Sequence, residues 1–233
     1  MDGTSMQNRR VVVTGGGSGL GLACARAVEG AGGIPFVLDL DTTAAEGFRT
    51  RQLDVADRSA VERAMEAAAG DLGGIDALVT AAGIDVPGEL DAVPAARWER
   101  VLTVNLLGTV SAVRAALPHL VRTRGRVVTV ASTLGLRGAA GATAYSASKF
   151  GVRGFSQALA AETAGRIGVT NVIPGGMSTH FFDEREERYR PQDDSRLNDP
   201  ARVAEAIVFA LTQPRSAEVR EMLIAHEHED SWP

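Results

Sequence analysis

Thr14-Gly15-Gly16-Gly17-Ser18-Gly19-Leu20-Gly21 follows directly on the apolar run Val11-Val12-Val13 and leads into a helix-like pattern from Leu22 to Val28. Strand, glycine turn and helix in that order form a seat for a pyrophosphate. Glycine lets the backbone turn sharply and approach phosphate oxygens with no Cβ in the way. The helix beyond begins with free N–H groups and the positive end of its dipole. A glycine run alone says little in a chain with 26 glycines among 233 residues, because a turn that merely packs one helix on one strand would read the same. The flanks separate the two readings. A second strand, Ile34 to Leu40, carries Asp39 near its end, about 20 residues past the glycines, where a carboxylate takes both ribose hydroxyls of an adenosine. The stretch therefore reads as a dinucleotide site.

The same alternation continues along the chain. Strands are expected near Arg10–Thr14, Ile34–Leu40, Gln52–Val55, Ala77–Thr80, Arg126–Ala131, Ile167–Ile173 and Met222–Ala225. Helical patterns lie between them near Leu20–Glu29, Ser59–Ala69, Ala95–Val121, Tyr145–Thr163 and Pro200–Leu211. Short apolar strands spaced by helices imply a parallel sheet covered on both faces. Right-handed crossovers then give a doubly wound α/β Rossmann fold with its crevice at the C-terminal ends of the strands. We expect one domain over residues 1–233, with a polar tail at 1–9.

Local signals mark the helix ends. Asp57 or Ser59 can cap the second helix, with Glu62 at the capping-box position after Ser59. Asp199-Pro200 sets a cap before a proline at the first helical position, and Pro118 is expected to kink or end the long third pattern. Only Asp41 to Thr50 joins the second and third strands, which leaves room for a loop or a single turn. The segment 183–198, charged from Asp183 to Arg190, reads as a solvated loop or helix, as a lid over the crevice, or as both.

Hydrophobic content of 45% and charged content of 23% are ordinary for a soluble globular chain. A net charge of −5 argues against nucleic acid as a main partner. No uninterrupted apolar run reaches the roughly 18 residues of a membrane span, and Met1 to Arg10 lacks the apolar segment of a signal peptide. The single cysteine, Cys24, reads as a buried core thiol. These features predict a cytoplasmic protein with neither membrane nor nucleic acid as partner.

Tyr145-Ser-Ala-Ser-Lys149 places a phenol and an ammonium about one helical turn apart on one face. Tyrosine ionises at about 10 in water, and a nearby cation is expected to lower that value, which would make the pair an acid/base at an alcohol or carbonyl. An isolated pair with this spacing would read as an ordinary helix surface. Here Ser132 ends the fifth strand and opens onto the crevice, where its hydroxyl can bond a substrate oxygen as charge develops. Asn105 lies inside an apolar helix pattern and is either a satisfied interior amide or a relay towards Lys149.

With these residues in place, the chain resembles the short-chain dehydrogenase/reductase family over nearly its whole length. The family's T-G-x-x-x-G-x-G is matched by Thr14, Gly15, Gly19 and Gly21, its strand-end acid by Asp39, and its D-V by Asp54-Val55. Its helix asparagine, serine and Y-x-x-x-K are matched by Asn105, Ser132, Tyr145 and Lys149. Its P-G-x-x-x-T is matched by Pro174-Gly175-Gly176-Met177-Ser178-Thr179. The resemblance implies that Tyr145 exchanges the proton with the substrate oxygen and that Ser132 orients that oxygen. It implies that Lys149 holds the nicotinamide ribose and tunes Tyr145, and that Asn105 positions a water linking Lys149 to solvent. It further implies adenine contact by Asp54, carboxamide contact by Thr179 and the backbone near Met177, and a cofactor path past Gly15, Ser18, Gly19, Leu20, Gly21, Val55, Ala81, Gly83, Pro174 and Gly175.

Three departures stand out. The family's N-N-A-G reads Thr80-Ala81-Ala82-Gly83, so side-chain bonds that brace the fourth strand are lost. The link between the second and third strands is short, and the end His226 to Pro233 lacks the family's glycine-rich finish and reads as a solvated tail rather than a metal pair. The expected activity is NAD(H)-dependent interconversion of a secondary alcohol and a ketone on a small-molecule substrate. An NADPH-dependent ketoreductase is the second reading, and a nucleotide-binding redox sensor or scaffold without turnover the third. Asp39, with Ser18 and Leu40 where a cation could receive a 2′-phosphate, favours NAD over NADP. Leu134, Leu136, Phe181, Phe182 and Tyr189 are expected to line a partly apolar substrate pocket. Apolar and small residues around Ala95–Val121 and Tyr145–Thr163 predict a homodimer or homotetramer.

Overall fold

The computed structural model describes residues 5–183, 185–191, 193–229 and 231. Seven parallel strands form one sheet in the order β3-β2-β1-β4-β5-β6-β7. They are β1 (Arg10–Thr14), β2 (Ile34–Asp39), β3 (Arg49–Gln52), β4 (Ala77–Thr80), β5 (Arg126–Val130), β6 (Gly168–Pro174) and β7 (Glu221–Ile224). The helices are α1 (Gly19–Gly30), α2 (Arg58–Leu72), α3 (Ala95–Leu102), α4 (Thr109–Thr123), α5 (Thr143–Glu162) and α6 (Pro200–Thr212). The strand order reverses between β1 and β4, so the chains leaving those two strands diverge and open a crevice.

Alternation within each strand sorts the core into two layers. Val12, Leu78 and Val127 face α2, α4 and α5, where they meet Met65, Val113 and Leu159. Val11, Val13, Val79 and Val128 face α1 and α6, against Cys24, Val28, Ile207 and Leu211. Burial pushes the Cys24 thiol up to about 12, so the core cysteine carries no thiolate near neutrality. Met6 is buried in the second layer, so the N-terminal residues described from Ser5 onward are not simply a polar tail.

Local chemistry explains most helix ends. Asp57 caps α2 by accepting the Ala60 N–H at 3.0 Å, whereas Ser59 lies inside the helix and Glu62 pairs with Arg58 instead of closing a capping box. Asp199 caps α6 by accepting the Ala201 N–H at 2.8 Å, with Pro200 at the first turn. A single short 3-10 turn, Thr43–Ala45, links β2 to β3.

Two expectations are corrected. Strand β3 runs over Arg49–Gln52, earlier than Gln52–Val55. It is an edge strand whose four residues are all exposed, held by backbone pairing to β2, while the apolar Leu53 and Val55 that drew the sequence reading lie just beyond it in the core. Pro118 neither ends nor breaks its helix, because α4 continues to Thr123. The run Ala95–Thr123 is long and apolar enough by composition to cross a membrane, with a mean hydropathy of 1.4. Its Val101, Ala112, Val113, Ala116 and Leu120 are instead buried within the protein.

Candidate active site

A cavity of about 880 Å³ opens at the C-terminal ends of the strands. Every residue that the sequence nominated for the nucleotide, from Gly15 through Thr179, lines it. The glycine turn is shaped for close approach. Gly15 has φ +71, and a Cβ there would collide with the backbone of Ala82. A Cβ on Gly21 would fall on the Gly15 carbonyl, so α1 can start this close to β1 only with glycine. Asp39 ends β2 with its carboxylate accepting the Gly17 N–H at 2.8 Å and the Asp41 N–H at 3.1 Å. The cradle, the helix start and the strand-end acid together fit a dinucleotide.

Asp54 lines the same groove and receives Arg100 Nη2 at 2.8 Å and the Ala56 N–H at 2.9 Å. Burial raises its pKa, but these two donors outweigh it and hold the carboxyl below its ordinary value. Arg100 was not legible as a site residue, because its partner is distant in sequence. The altered T-A-A-G turn leaves Thr80 Oγ1 buried without a hydrogen-bond partner, in keeping with the lost side-chain brace. The backbone past it persists, with the Ala81 N–H donating to the Thr14 carbonyl at 3.0 Å.

Ser132, Tyr145 and Lys149 converge at the floor of the cavity. Ser132 caps a short 3-10 turn, accepting the Leu134 N–H at 3.2 Å, and its hydroxyl favours ionisation of the neighbouring Tyr145 phenol. Lys149 lies one turn beyond Tyr145 on α5, its Nζ donating to the Val130 carbonyl at 2.9 Å and standing 5.5 Å from the Tyr145 ring centre. Asn105 does not line the cavity. It sits in a π-helical segment, Thr103–Gly108, between α3 and α4. Its amide accepts the Ile84 N–H at 2.8 Å and donates to the Ile84 carbonyl at 2.9 Å and to Ser148 Oγ at 3.0 Å. Only Gly83 separates it from the lysine: a Cβ built there would lie 3.5 Å from Asn105 Oδ1 and 3.6 Å from Lys149 Nζ.

The expected lowering of the Tyr145 pKa is not met. Burial pushes it up to about 12, and the Ser132 hydroxyl offsets only part of that. Burial also drives Lys149 down to about 8, although Asp85 opposes the shift. The sequence reading counted the cation's attraction and omitted the desolvation of both partners, which is the larger effect.

Arg185, Tyr189, Pro191 and Leu197 of the 183–198 segment line the cavity, while Glu186, Glu187 and Arg188 are exposed; Glu184 and Gln192 within it lie outside the described residues. Leu134, Phe181, Phe182 and Tyr189 line the cavity as expected. Leu136 does not; it packs against Ala131, Val152 and Ile173. Two charged residues were missed here. Asp85, just past β4, pairs with Arg185 of the 183–198 segment at 2.8 Å. Their signals were a carboxylate in the loop at a strand's C-terminal end and an arginine in the charged run. The tail is also corrected. Glu229 accepts the Gly176 N–H at 3.0 Å and Ser231 Oγ bonds Thr133 Oγ1 at 2.6 Å, so these two residues are tied to the cavity wall, while Glu227 and His228 stay exposed.

Comparison with known proteins agrees with this geometry. The family model described as short chain dehydrogenase matches residues 9–190, and the chain belongs to that family. It is 32% identical to a meso-2,3-butanediol dehydrogenase of Serratia marcescens over 90% of this chain and 89% of that protein. It is 35% identical to a glycine betaine reductase of Emericella nidulans over 94% of this chain but only 19% of that longer protein. An alcohol dehydrogenase from the archaeon Thermococcus sibiricus, solved with 5-hydroxy-NADP, shares the fold with a TM-score of 0.87 at 22% identity, over 95% of this chain and 98% of that one.

With only two tyrosines in the chain, ionisation of Tyr145 can be followed directly by tyrosinate absorbance. Because its pKa is raised to about 12, Tyr145 should remain protonated in the cofactor-free protein through the range where free tyrosine ionises. At about pH 10.5, past the ordinary tyrosine value, Tyr145→Phe should therefore leave the tyrosinate absorbance of the native fold unchanged. A clear loss of absorbance at that pH would show that burial does not govern this phenol.

Proposed function

We propose that the chain is an NAD(H)-dependent oxidoreductase that interconverts a secondary alcohol and a ketone. The observation that carries this is the meeting of Ser132, Tyr145 and Lys149 at the floor of a cavity whose other end is the glycine cradle and Asp39. A nicotinamide held there would supply the acceptor or donor of hydride. Tyr145 exchanges the proton with the substrate oxygen, and Ser132 bonds that oxygen as charge develops on it. Lys149 holds the ribose and adds its positive charge beside Tyr145. Asn105, clamped by Ile84, orders a water that connects Lys149 to solvent. By name, the Serratia marcescens relative is a dehydrogenase of a secondary diol, which supports this reaction type. A scaffold without turnover would not need these four side chains together.

The preferred nucleotide is NAD. The Asp39 carboxylate sits against the Gly17 N–H, where a 2′-phosphate would meet its negative charge, and Arg100 in the groove is already paired with Asp54. An NADPH-dependent ketoreductase is the runner-up. The acidic composition and the lone buried thiol support work in a reducing cytoplasm on a small molecule.

The chain also acts as a homodimer or homotetramer in this proposal. On the two helical stretches that suggested it, Val104 and Val113 are buried in the chain's own core, and Gly151 meets Leu106 of the neighbouring helical segment. Leu107 and Phe150 remain exposed, at 55% and 44%, with Ala147, Ala158 and Ala161 exposed on α5. These form the apolar face a second subunit would cover.

Three measurements check the reading. Tyr145→Phe should lower kcat by about 10²-fold or more while cofactor affinity changes less than about threefold, since the hydroxyl acts in the transition state. Near-normal turnover would remove Tyr145 as the proton donor. Titration should give tighter binding of NAD than of NADP, with the gap narrowed by Asp39→Ala; tighter NADP binding would favour the ketoreductase. Light scattering should find an oligomer that Leu107→Asp with Phe150→Asp converts to single chains, whereas a native particle of one chain's mass would refute the assembly.

A further inference from the structure

The lid carries charged chemistry that proton and hydride transfer do not require. Arg185 lies over two aromatic faces, its guanidinium carbon 4.9 Å from the Phe181 ring centre and 4.5 Å from that of Phe182. Its Nη2 meets Asp85 at 2.8 Å, and the Asp85 side chain is only 4% exposed. Phe181 in turn stands 5.7 Å from the Tyr145 ring, so this pair adjoins the proton-transfer group. Burying an ion pair is costly, and solvated alternatives would hold a lid equally well.

Two polar groups on the same lid have no partner. Among the described residues, four buried side-chain polar atoms lack a hydrogen bond, and two of them are Arg185 Nε and the Tyr189 hydroxyl. Both residues line the cavity, and the Tyr189 ring is seated against Gly141, just ahead of α5. Buried donors are rarely left unpaired, because each forfeits its hydrogen bonds to water. Neither group has an acceptor among the described residues, and the oxygen of a ligand can supply one.

We propose that Arg185 and Tyr189 recognise a second oxygen of the substrate, carried on a carbon close to the reacting one, and that this oxygen belongs to a neutral hydroxyl or keto group. The inference rests on the alcohol–ketone reading and names its substrate class as vicinal diols and hydroxyketones. Charge decides between a neutral oxygen and a carboxylate. Asp85 already balances the guanidinium, so a carboxylate would bring a second anion to one cation in a desolvated site. A hydroxyl or keto oxygen accepts from Arg185 Nε and from the Tyr189 hydroxyl with no added charge. Phe181, Phe182 and Leu134 supply apolar wall for the short carbon chain.

The test compares 2,3-butanediol, 2-butanol and 3-hydroxybutyrate. In wild type, kcat/KM should favour the diol over 2-butanol by about tenfold, the scale of a buried donor gaining its partner, and over the carboxylate by at least as much. Tyr189→Phe and Arg185→Lys, the latter keeping a cation for Asp85, should each cut the diol-to-butanol ratio to about two. Binding is read separately, by calorimetric titration of the same compounds into NAD-loaded Tyr145→Phe protein with and without Tyr189→Phe. Equal turnover of diol and butanol, ratios unmoved by both lid variants, or preference for 3-hydroxybutyrate would overturn the clamp and leave the dehydrogenase reading standing. Absent turnover with diol-selective binding that Tyr189→Phe abolishes would do the reverse. Neither turnover nor selective binding would overturn both.

Discussion

The close passage of Gly15 over the Ala82 backbone is the constraint on which the molecule's chemistry depends. Strands β1 and β4 are hydrogen-bonded neighbours, yet the chains leaving them go to opposite faces of the sheet. The gap between those departures is the crevice, and its depth is set by how near the two turns lie. A side chain at position 15 would force them apart and move both the nucleotide cradle and the loop carrying Gly83, Ile84 and Asp85. That loop is clamped from the other side by Asn105, whose amide bonds both backbone groups of Ile84. The π-helical segment around Asn105 follows from this need: it carries the inward amide between α3 and α4, while the Asn105 carbonyl accepts the Thr109 hydroxyl at 2.8 Å.

Burial then sets the chemical temper of the site. Tyr145 and Lys149 are both pushed towards their neutral forms, the phenol up to about 12 and the ammonium down to about 8. The floor of the cleft is thus poorly solvated, and charge placed there is strongly felt. The 183–198 segment brings Arg185 against Asp85, where burial raises the Asp85 pKa against the pull of Arg185 and lowers that of Arg185 against Asp85. Two charge pairs flank the site, Arg100 with Asp54 in the nucleotide groove and Arg185 with Asp85 near Tyr145, while Lys149 and Asp39 are held by backbone groups.

Much of this was legible in the chain. Strands with both faces buried read as continuous apolar runs, so β1, β4 and β5 stood out, and capping by Asp57 and Asp199 followed from local chemistry. The edge strand β3 did not, since its stability comes from pairing with β2 and its residues are polar. Leu136 and Leu134, two apart, read alike as pocket residues, but the short turn after β5 lays the half-buried Leu136 against Ala131, Val152 and Ile173 and leaves Leu134 at the cavity.

By itself the sequence determined six of the seven strands, the order of the helices and the nucleotide side of the crevice, because glycine freedom, strand alternation and one-turn spacing are local properties of a backbone. Only the tertiary structure decided what closes the crevice and how its groups ionise. Arg185 and Asp85 lie a hundred positions apart, as the numbering shows, and Ser231 reaches Thr133 across 98. Such pairings depend on where the fold brings distant loops together, and a pKa depends on how much water that meeting excludes.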